Sequence, residues 1–380
     1  MIYRNITPLI LQRADDNKAI ILVGPRQVGK TTLLQTLFKD TNPPPLWLNG
    51  DEVDTREQLS NTTSTRLRNL IGHHKIIVID EAQRIENIGL TIKLIVDNLE
   101  GVKVFASGSS AFELANRINE PLTGRKWEFH LYPLSWQELQ SHYGAIDERR
   151  LLEDRLIFGS YPEIVTHPGD RKARLQQLAD SYLYKDILTW EQIKKPDRLE
   201  RLLQAIALQL GQQVSYNELA RLTGLDNSTV ERYILLLEKS FIIYRLRTFS
   251  RNLRNELKKS RKIYFYDNGI RNAIINNFNP LILRNDVGAL WENYLITERM
   301  KTRSHANIKA NHYFWRTYAQ QEIDYLEEYD GQLRAWEFKW KSSGRAKIPK
   351  TFINNYPQAI SDIITPDNYE SFLNNMDNNE

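Results

Sequence analysis

A glycine-rich loop between a strand-like run and a helix-like run constrains this chain more than any other feature. The loop reads Gly24-Pro25-Arg26-Gln27-Val28-Gly29-Lys30-Thr31-Thr32. Residues 19–23 before it are continuously apolar, and residues 33–38 after it carry an apolar stripe at helical spacing. In this setting backbone N–H groups and the helix N-terminus hold phosphate groups. The pattern predicts a P-loop, in which Lys30 reaches the β- and γ-phosphates of a nucleotide and Thr31 binds Mg²⁺.

A pair of acids follows a second buried strand. Residues 75–79 are mostly apolar, and Asp80-Glu81-Ala82-Gln83 comes directly after them. Ligands bind at the carboxyl ends of the strands in a parallel sheet, so we expect both acids near the P-loop. Asp80 is predicted to hold Mg²⁺ through water, and Glu81 to orient and polarise the attacking water.

Two further polar residues are candidates for contacts with the nucleotide. A strand over residues 102–106 ends at Ser107-Gly108-Ser109-Ser110, and Ser109 is the candidate for a hydrogen bond to the γ-phosphate or the attacking water. Ser107 and Ser110 are close rivals. Arg125 is the candidate for positive charge beside the transferring phosphate, either in its own subunit or in a neighbour's.

These motifs, in this order, resemble the predicted prokaryotic ATPases of the AAA superfamily that carry an uncharacterised C-terminal domain. Leu122-Thr123-Gly124-Arg125, Tyr132-Pro133-Leu134-Ser135 and the turn at residues 158–163 add to the resemblance, although Ser160 replaces the second glycine usual in that turn. The resemblance implies ATP and Mg²⁺ as ligands and ATP hydrolysis as the activity.

Composition limits the remaining choices. The chain has 380 residues and no cysteine, which excludes disulfides, thiolate zinc sites and cysteine nucleophiles. No apolar run approaches the roughly 20 residues of a membrane-spanning helix, and the N-terminus lacks a signal-peptide pattern. We therefore expect a cytoplasmic protein with no membrane contact.

Residues 200–255 have the pattern of a winged helix-turn-helix. Helix-like runs end near Gly211 and Gly224, and a third is followed by the strand-like residues 241–246. Residues 241–262 contain eight lysines and arginines and one acid, a net charge of +7. The segment 228–262 therefore predicts contact with DNA, but the exposed positions of the third helix are not strongly basic, so a protein partner stays open.

The C-terminal segment resembles the PD-(D/E)xK nuclease fold. An acid on a helix, Glu292, is followed by Asp324 on one strand and by Glu337 and Lys339 on the next. Strand alternation puts Glu337 and Lys339 on one face. Asp324 and Glu337 could hold a magnesium ion beside Lys339. The same residue types are also typical of an exposed strand face, so nuclease activity and an inactive scaffold are both open.

The sequence thus predicts an α/β chain in five parts. They are an AAA-type P-loop ATPase core (1–165), a helical linker or lid (166–199), a winged helix-turn-helix (200–255), an α/β nuclease-like domain (256–365) and a polar tail (366–380). Two functional hypotheses follow. One is an ATPase that acts on nucleic acid, and the other is a nucleotide-driven switch or scaffold that binds a protein partner. Either could be oligomeric.

Overall fold

A computed structural model describes residues 1–109, 121–182, 196–250, 261–341 and 347–374. The described residues form two compact units. The first contains Met1–Leu134 and the short segment Lys239–Phe241, and the second contains the rest of the described chain from Ser135 onward.

The first unit is a parallel sheet with helices. The sheet has the strand order β2-β3-β4-β1-β5. Its strands are β1 Ala19–Val23, β2 Leu46–Asn49, β3 Ile76–Asp80, β4 Lys103–Gly108 and β5 Lys126–His130. Its helices are α1 Thr7–Gln12, α2 Lys30–Leu37, α3 Val53–Leu59, α4 Ser64–Ile71 and α5 Ile88–Asn98. All strand pairs are parallel, so β1, β3 and β4 end at one edge.

The interior strand β1 is buried along its whole length, as a parallel strand covered on both faces should be. Ile20 and Leu22 pack in one core with Val28 from the loop and Phe105 from β4. This packing fixes the start of the loop relative to the ends of the neighbouring strands.

The second unit contains a seven-stranded mixed sheet with the order β12-β11-β10-β9-β7-β8-β6. Its strands are β6 Gln213–Val214, β7 Ile243–Thr248, β8 Arg261–Phe265, β9 Asn311–Arg316, β10 Glu322–Tyr329, β11 Gln332–Phe338 and β12 Ile360–Ile364. Its helices are α6 Trp136–Tyr143, α7 Ala145–Arg150, α8 Leu152–Phe158, α9 Pro162–Thr166, α10 Arg171–Tyr182, α11 Pro196–Leu208, α12 Tyr216–Thr223, α13 Asn227–Lys239, α14 Asn268–Ile274, α15 Val287–His305, α16 Lys350–Asn355 and α17 Tyr369–Asn374.

The order helix, strand, helix, helix, strand, strand runs from Pro196 to Phe265. The strand β8 pairs in antiparallel fashion with both β6 and β7. The predicted helices of the winged helix-turn-helix segment are therefore present, together with three antiparallel strands. Residues 251–260, between β7 and β8, lie outside the described residues.

The boundaries predicted from the sequence differ from the units in three places. Residues 135–165 belong to the second unit, where Trp136 N donates to Glu298 at 2.6 Å. The boundary at 255/256 falls within one sheet, because β7 pairs with β9 in parallel. The segment predicted as a polar tail contains the helix α17, which buries three side chains: Tyr369, Phe372 and Leu373.

Among the residues that the structure describes, no helix is long and apolar enough to cross a membrane.

Candidate functional site

The P-loop leaves the carboxyl end of β1 and ends at the first residue of α2. Gly24 is required by a close approach, since a Cβ there would lie 2.2 Å from the carbonyl oxygen of Leu131. Val28 is fully buried and anchors the loop in the core. Gly29 has a φ of 96°, in the left-handed region that favours glycine. The rest of the loop consists of the buried Pro25, the half-buried Arg26, and the exposed Gln27 and Thr32.

Lys30 forms hydrogen bonds with the P-loop, and Thr31 forms one with the end of β3. The Lys30 ammonium donates to the carbonyl oxygens of Gly24 and Pro25, at 2.8 Å each, and so lies across its own loop. The Thr31 hydroxyl donates to Asp80 Oδ2 at 2.7 Å. A hydroxyl and a carboxylate are oxygen ligands of the kind that Mg²⁺ prefers.

The serine candidates Ser107 and Ser109 lie at the carboxyl end of β4. The Ser107 hydroxyl donates to Asp80 Oδ1. The Ser109 hydroxyl is buried and has no hydrogen-bond partner within the described ranges. The register pairs Gly108 with Val23, so Ser109 follows directly beside the start of the P-loop. Ser110 lies outside the described residues.

Glu81 follows β3 in a left-handed backbone conformation, with φ 48° and ψ 39°. Its amide donates to Asp80 Oδ1 at 3.1 Å, and its carboxylate accepts a hydrogen bond from Gln83. The carboxylate therefore lies on the same strand end as Asp80, where a water could reach it.

Arg125 lies at the opposite edge of the sheet from the P-loop. Its carbonyl oxygen accepts from the amide of Ala19, the first residue of β1, whereas the P-loop follows the last residue of that strand. Strands rise about 3.3 Å per residue, so the length of β1 separates Arg125 from the loop. Its side chain pairs with Asp97 at 2.7 Å. Arg125 therefore lies away from the P-loop of its own chain. A role in a neighbour's site stays a prediction, and a plain surface arginine paired with Asp97 is equally open.

Arg4, which the sequence did not single out, forms a hydrogen bond with the backbone of the P-loop. The buried Arg4 donates to the carbonyl oxygen of Val28 at 3.1 Å and also to that of Tyr132. A lone arginine before the first predicted helix carries no motif, so only the folded chain reveals this contact.

The four candidates of the nuclease-like segment come together in the second unit. Asp324 accepts from the amide of Phe338 at 2.8 Å, and Glu337 accepts from Lys339 at 2.6 Å. Glu337 Oε2 is buried and has no hydrogen-bond partner in the part of the chain that the structure describes. Glu292 extends from α15 into the same cluster, where it meets residues from β8.

Lys262 is the residue of this cluster that the sequence did not single out. Its side chain is only 2% exposed, and its ammonium lies 2.9 Å from Glu292, 2.5 Å from Glu322 and 4.0 Å from Asp324. Tyr264 also donates to Glu292, at 2.5 Å. A buried ammonium therefore lies among the carboxylates that were predicted to hold a metal. Within the described residues, no group of three or more His, Asp or Glu side chains is arranged to hold a metal ion.

Burial raises the pKa values of the carboxyl groups in this cluster. Burial raises the pKa of Glu292 to about 7, against the opposing effect of Lys262. Burial likewise raises the pKa values of Asp324 and Glu337. For Lys262, burial disfavours the ammonium, but Glu292, Asp324 and Glu322 outweigh this effect and raise its pKa.

The basic stretch is partly engaged within the second unit. Arg245 pairs with Glu238, and Arg261 lies 3.9 Å from Glu231. Lys262 is buried, whereas Arg247 is exposed. The remaining bases, Arg251, Arg254, Lys258 and Lys259, lie outside the described residues, so the predicted patch is described only at its two ends.

Comparisons with known proteins match three segments of the chain. Residues 16–140 match the model of an AAA domain, residues 149–281 match a domain of unknown function (DUF8612), and residues 287–375 match a second domain of unknown function (DUF4143). An uncharacterized protein of Mycobacterium tuberculosis is 25% identical over 330 residues, which cover 85% of this chain and 70% of that protein. One of Methanocaldococcus jannaschii is 22% identical over 319 residues, covering 73% of this chain and 67% of that protein.

Two solved structures are similar at low sequence identity. The Aeropyrum pernix ORC1 protein in complex with DNA is 14% identical with a TM-score of 0.30, covering 72% of this chain and 91% of that one. AMPPCP-bound DnaA from Aquifex aeolicus is 16% identical with a TM-score of 0.29, covering 62% and 86%. The AAA-domain match and the parallel sheet with its P-loop together support an AAA-type ATPase.

Proposed function

We propose that the first unit binds ATP with Mg²⁺ and hydrolyses it at the P-loop. The observation that carries this proposal is the 2.7 Å hydrogen bond between Thr31 and Asp80, which are 49 residues apart in the chain. It joins two oxygen ligands beside a buried lysine. In the nucleotide complex, Lys30 would exchange its two loop carbonyls for phosphate oxygens, and the backbone amides of residues 24–32 would hold the phosphates.

The residues around this pair fit the rest of the reaction. Mg²⁺ held by Thr31 and Asp80 would neutralise charge on the phosphates. The hydroxyl of Ser109, which has no hydrogen-bond partner among the described residues, would supply a buried donor beside the loop for the γ-phosphate or the attacking water. Ser107 already donates to Asp80. Glu81 would accept the proton of that water.

The test is to measure nucleotide binding and phosphate release with Mg²⁺ on the parent chain and three variants. Lys30→Ala should lose both activities. Glu81→Gln should still bind ATP but hydrolyse it about 10²–10⁴-fold more slowly, because the base acts only in the chemical step. The exposed Lys39→Ala is the control and should match the parent. Parental hydrolysis by Glu81→Gln would refute its assignment as the base.

A second candidate function is contact of the second unit with DNA. The order of helices and strands from Pro196 to Phe265 favours it, because this is the order of a winged helix. Binding of labelled duplex DNA should fall with rising salt and weaken in the exposed variant Arg247→Glu, while Lys39→Glu should bind like the parent. Salt-independent binding, or none at low salt, would leave the protein-partner hypothesis.

The same assay tests the nuclease hypothesis if the length of the DNA is followed. Shortening that requires Mg²⁺ and is lost in Asp324→Ala would make the charged cluster a nuclease site. Intact DNA in the parent chain would leave the cluster with a structural role.

A further inference from the structure

Gln83 is the side chain that contacts the carboxylate of Glu81. The short 3₁₀ turn at Ala82–Arg84 folds the chain back, and the amide of Arg84 donates to the carbonyl oxygen of Glu81 at 3.0 Å. In this turn Gln83 Nε2 donates to Glu81 Oε2 at 2.5 Å. The contact is thus local, and it lies at the end of β3 where the predicted base must act.

The backbone of Glu81 is fixed independently of this contact. It is left-handed, a conformation that residues other than glycine adopt only when their surroundings impose it. A Cβ on Gly50 would lie 2.4 Å from the carbonyl oxygen of Glu81, so the end of β2 lies directly against it. The amide of Gly50 also donates to the carbonyl oxygen of Asp80 at 2.8 Å. Because the backbone of Glu81 is fixed, the direction of its carboxylate depends on the groups that the Glu81 side chain contacts.

The side-chain amide of Gln83 can orient the Glu81 carboxylate and still leave it able to accept a proton. It donates to one carboxylate oxygen, Oε2, and the carboxylate has a second oxygen with which to accept a proton from water. Gln83 Oε1 is buried and has no hydrogen-bond partner in the described part of the chain. The reversed amide would put that acceptor against the Glu81 carboxylate, so the donor must face the acid.

We propose that Gln83 is a positioning residue, which orients the carboxylate of Glu81 toward the attacking water. This inference rests on the proposed ATP hydrolysis. Its chemistry requires the N–H donor of residue 83 and not only the volume of the side chain. Gln83→Met keeps most of the volume and removes the donor, whereas Gln83→Glu keeps the shape and replaces the donor by a second carboxylate.

Both variants should lower kcat by about tenfold to a hundredfold, because a hydrogen bond to a charged group is lost. KM for ATP and the affinity for a fluorescent ATP analogue should stay within about threefold of the parent, since Gln83 does not touch the phosphates. The exposed Gln35→Met is the control and should match the parent.

A double-mutant cycle separates positioning from a structural effect. In a Glu81→Gln chain, Gln83→Met should cause almost no further loss, since there is no longer a base to orient. An equal loss in both backgrounds, or a parental kcat in the Gln83 variants of an active chain, would overturn this inference alone. A parent chain that does not hydrolyse ATP would overturn the proposed function and this inference together.

Discussion

The clearest energetic prediction concerns Glu292 in the charged cluster of the second unit. Its side chain is 12% exposed, and burial raises its pKa from 4.5 to about 7. The folded state therefore holds a proton between these pH values that the unfolded state releases. This contribution to stability is complete below pH 4.5 and is lost as the pH rises through 7. At about 1.4 kcal/mol per pKa unit, the loss amounts to about 3 kcal/mol.

Glu292→Gln removes this titration and keeps the shape of the side chain. Urea unfolding at pH 4.5, 5.5, 6.5 and 7.5 should give a difference in unfolding free energy between variant and parent that changes by about 3 kcal/mol across the series. Asp324 and Glu337 remain in both chains, but Asp324 interacts with Glu292, so the difference reports the titration of Glu292 together with this coupling. Glu231→Gln, at a side chain 59% exposed, is the matched control. If the difference in unfolding free energy does not vary with pH, the raised pKa assigned to Glu292 is refuted.

Three further substitutions test single contacts. Lys262→Met should lower the free energy of unfolding by about 3–5 kcal/mol in urea, because it leaves buried carboxylates without their ammonium; a loss below about 1 kcal/mol would contradict the contact. Gly24→Ala should weaken nucleotide binding more than tenfold in a titration, since its Cβ would meet Leu131, while Gly288→Ala, which meets nothing within 4 Å, should not. Arg4→Met should weaken nucleotide binding about tenfold, because the P-loop loses its hydrogen bond from Arg4 to the carbonyl oxygen of Val28. Unchanged affinity would show that this contact does not support the loop.

The parts of the site that could be predicted are those that local sequence encodes. The P-loop needs its glycines and lysine within one turn, and Asp80 follows a strand whose apolar run is visible in the sequence. The sequence also pointed to Asp324 and Glu337, which lie on neighbouring strands. The register pairs Tyr325 with Trp336, so Asp324 lies opposite Glu337.

The parts that could not be predicted depend on pairing between distant segments. Arg125 precedes β5, and only the parallel pairing of that strand with β1 puts it at the edge away from the loop. In the sequence, Lys262 belongs to the basic stretch that predicts contact with DNA. A run of charged residues does not reveal that this side chain is buried. Arg4 depends on where the N-terminal segment lies relative to the P-loop.

The cluster around Lys262 joins three elements of the predicted nuclease-like domain (256–365) that are distant in the chain. The lysine comes from β8, and its partners come from α15 and β10 of the same unit. Separating either partner segment from β8 would leave buried charges unpaired, which costs far more than breaking an exposed ion pair. We therefore expect these segments to unfold together. The same ammonium lies 4.0 Å from Asp324, one of the two predicted metal ligands, so a metal ion bound there would lie close to its positive charge. We therefore expect Lys262 to weaken metal binding at Asp324.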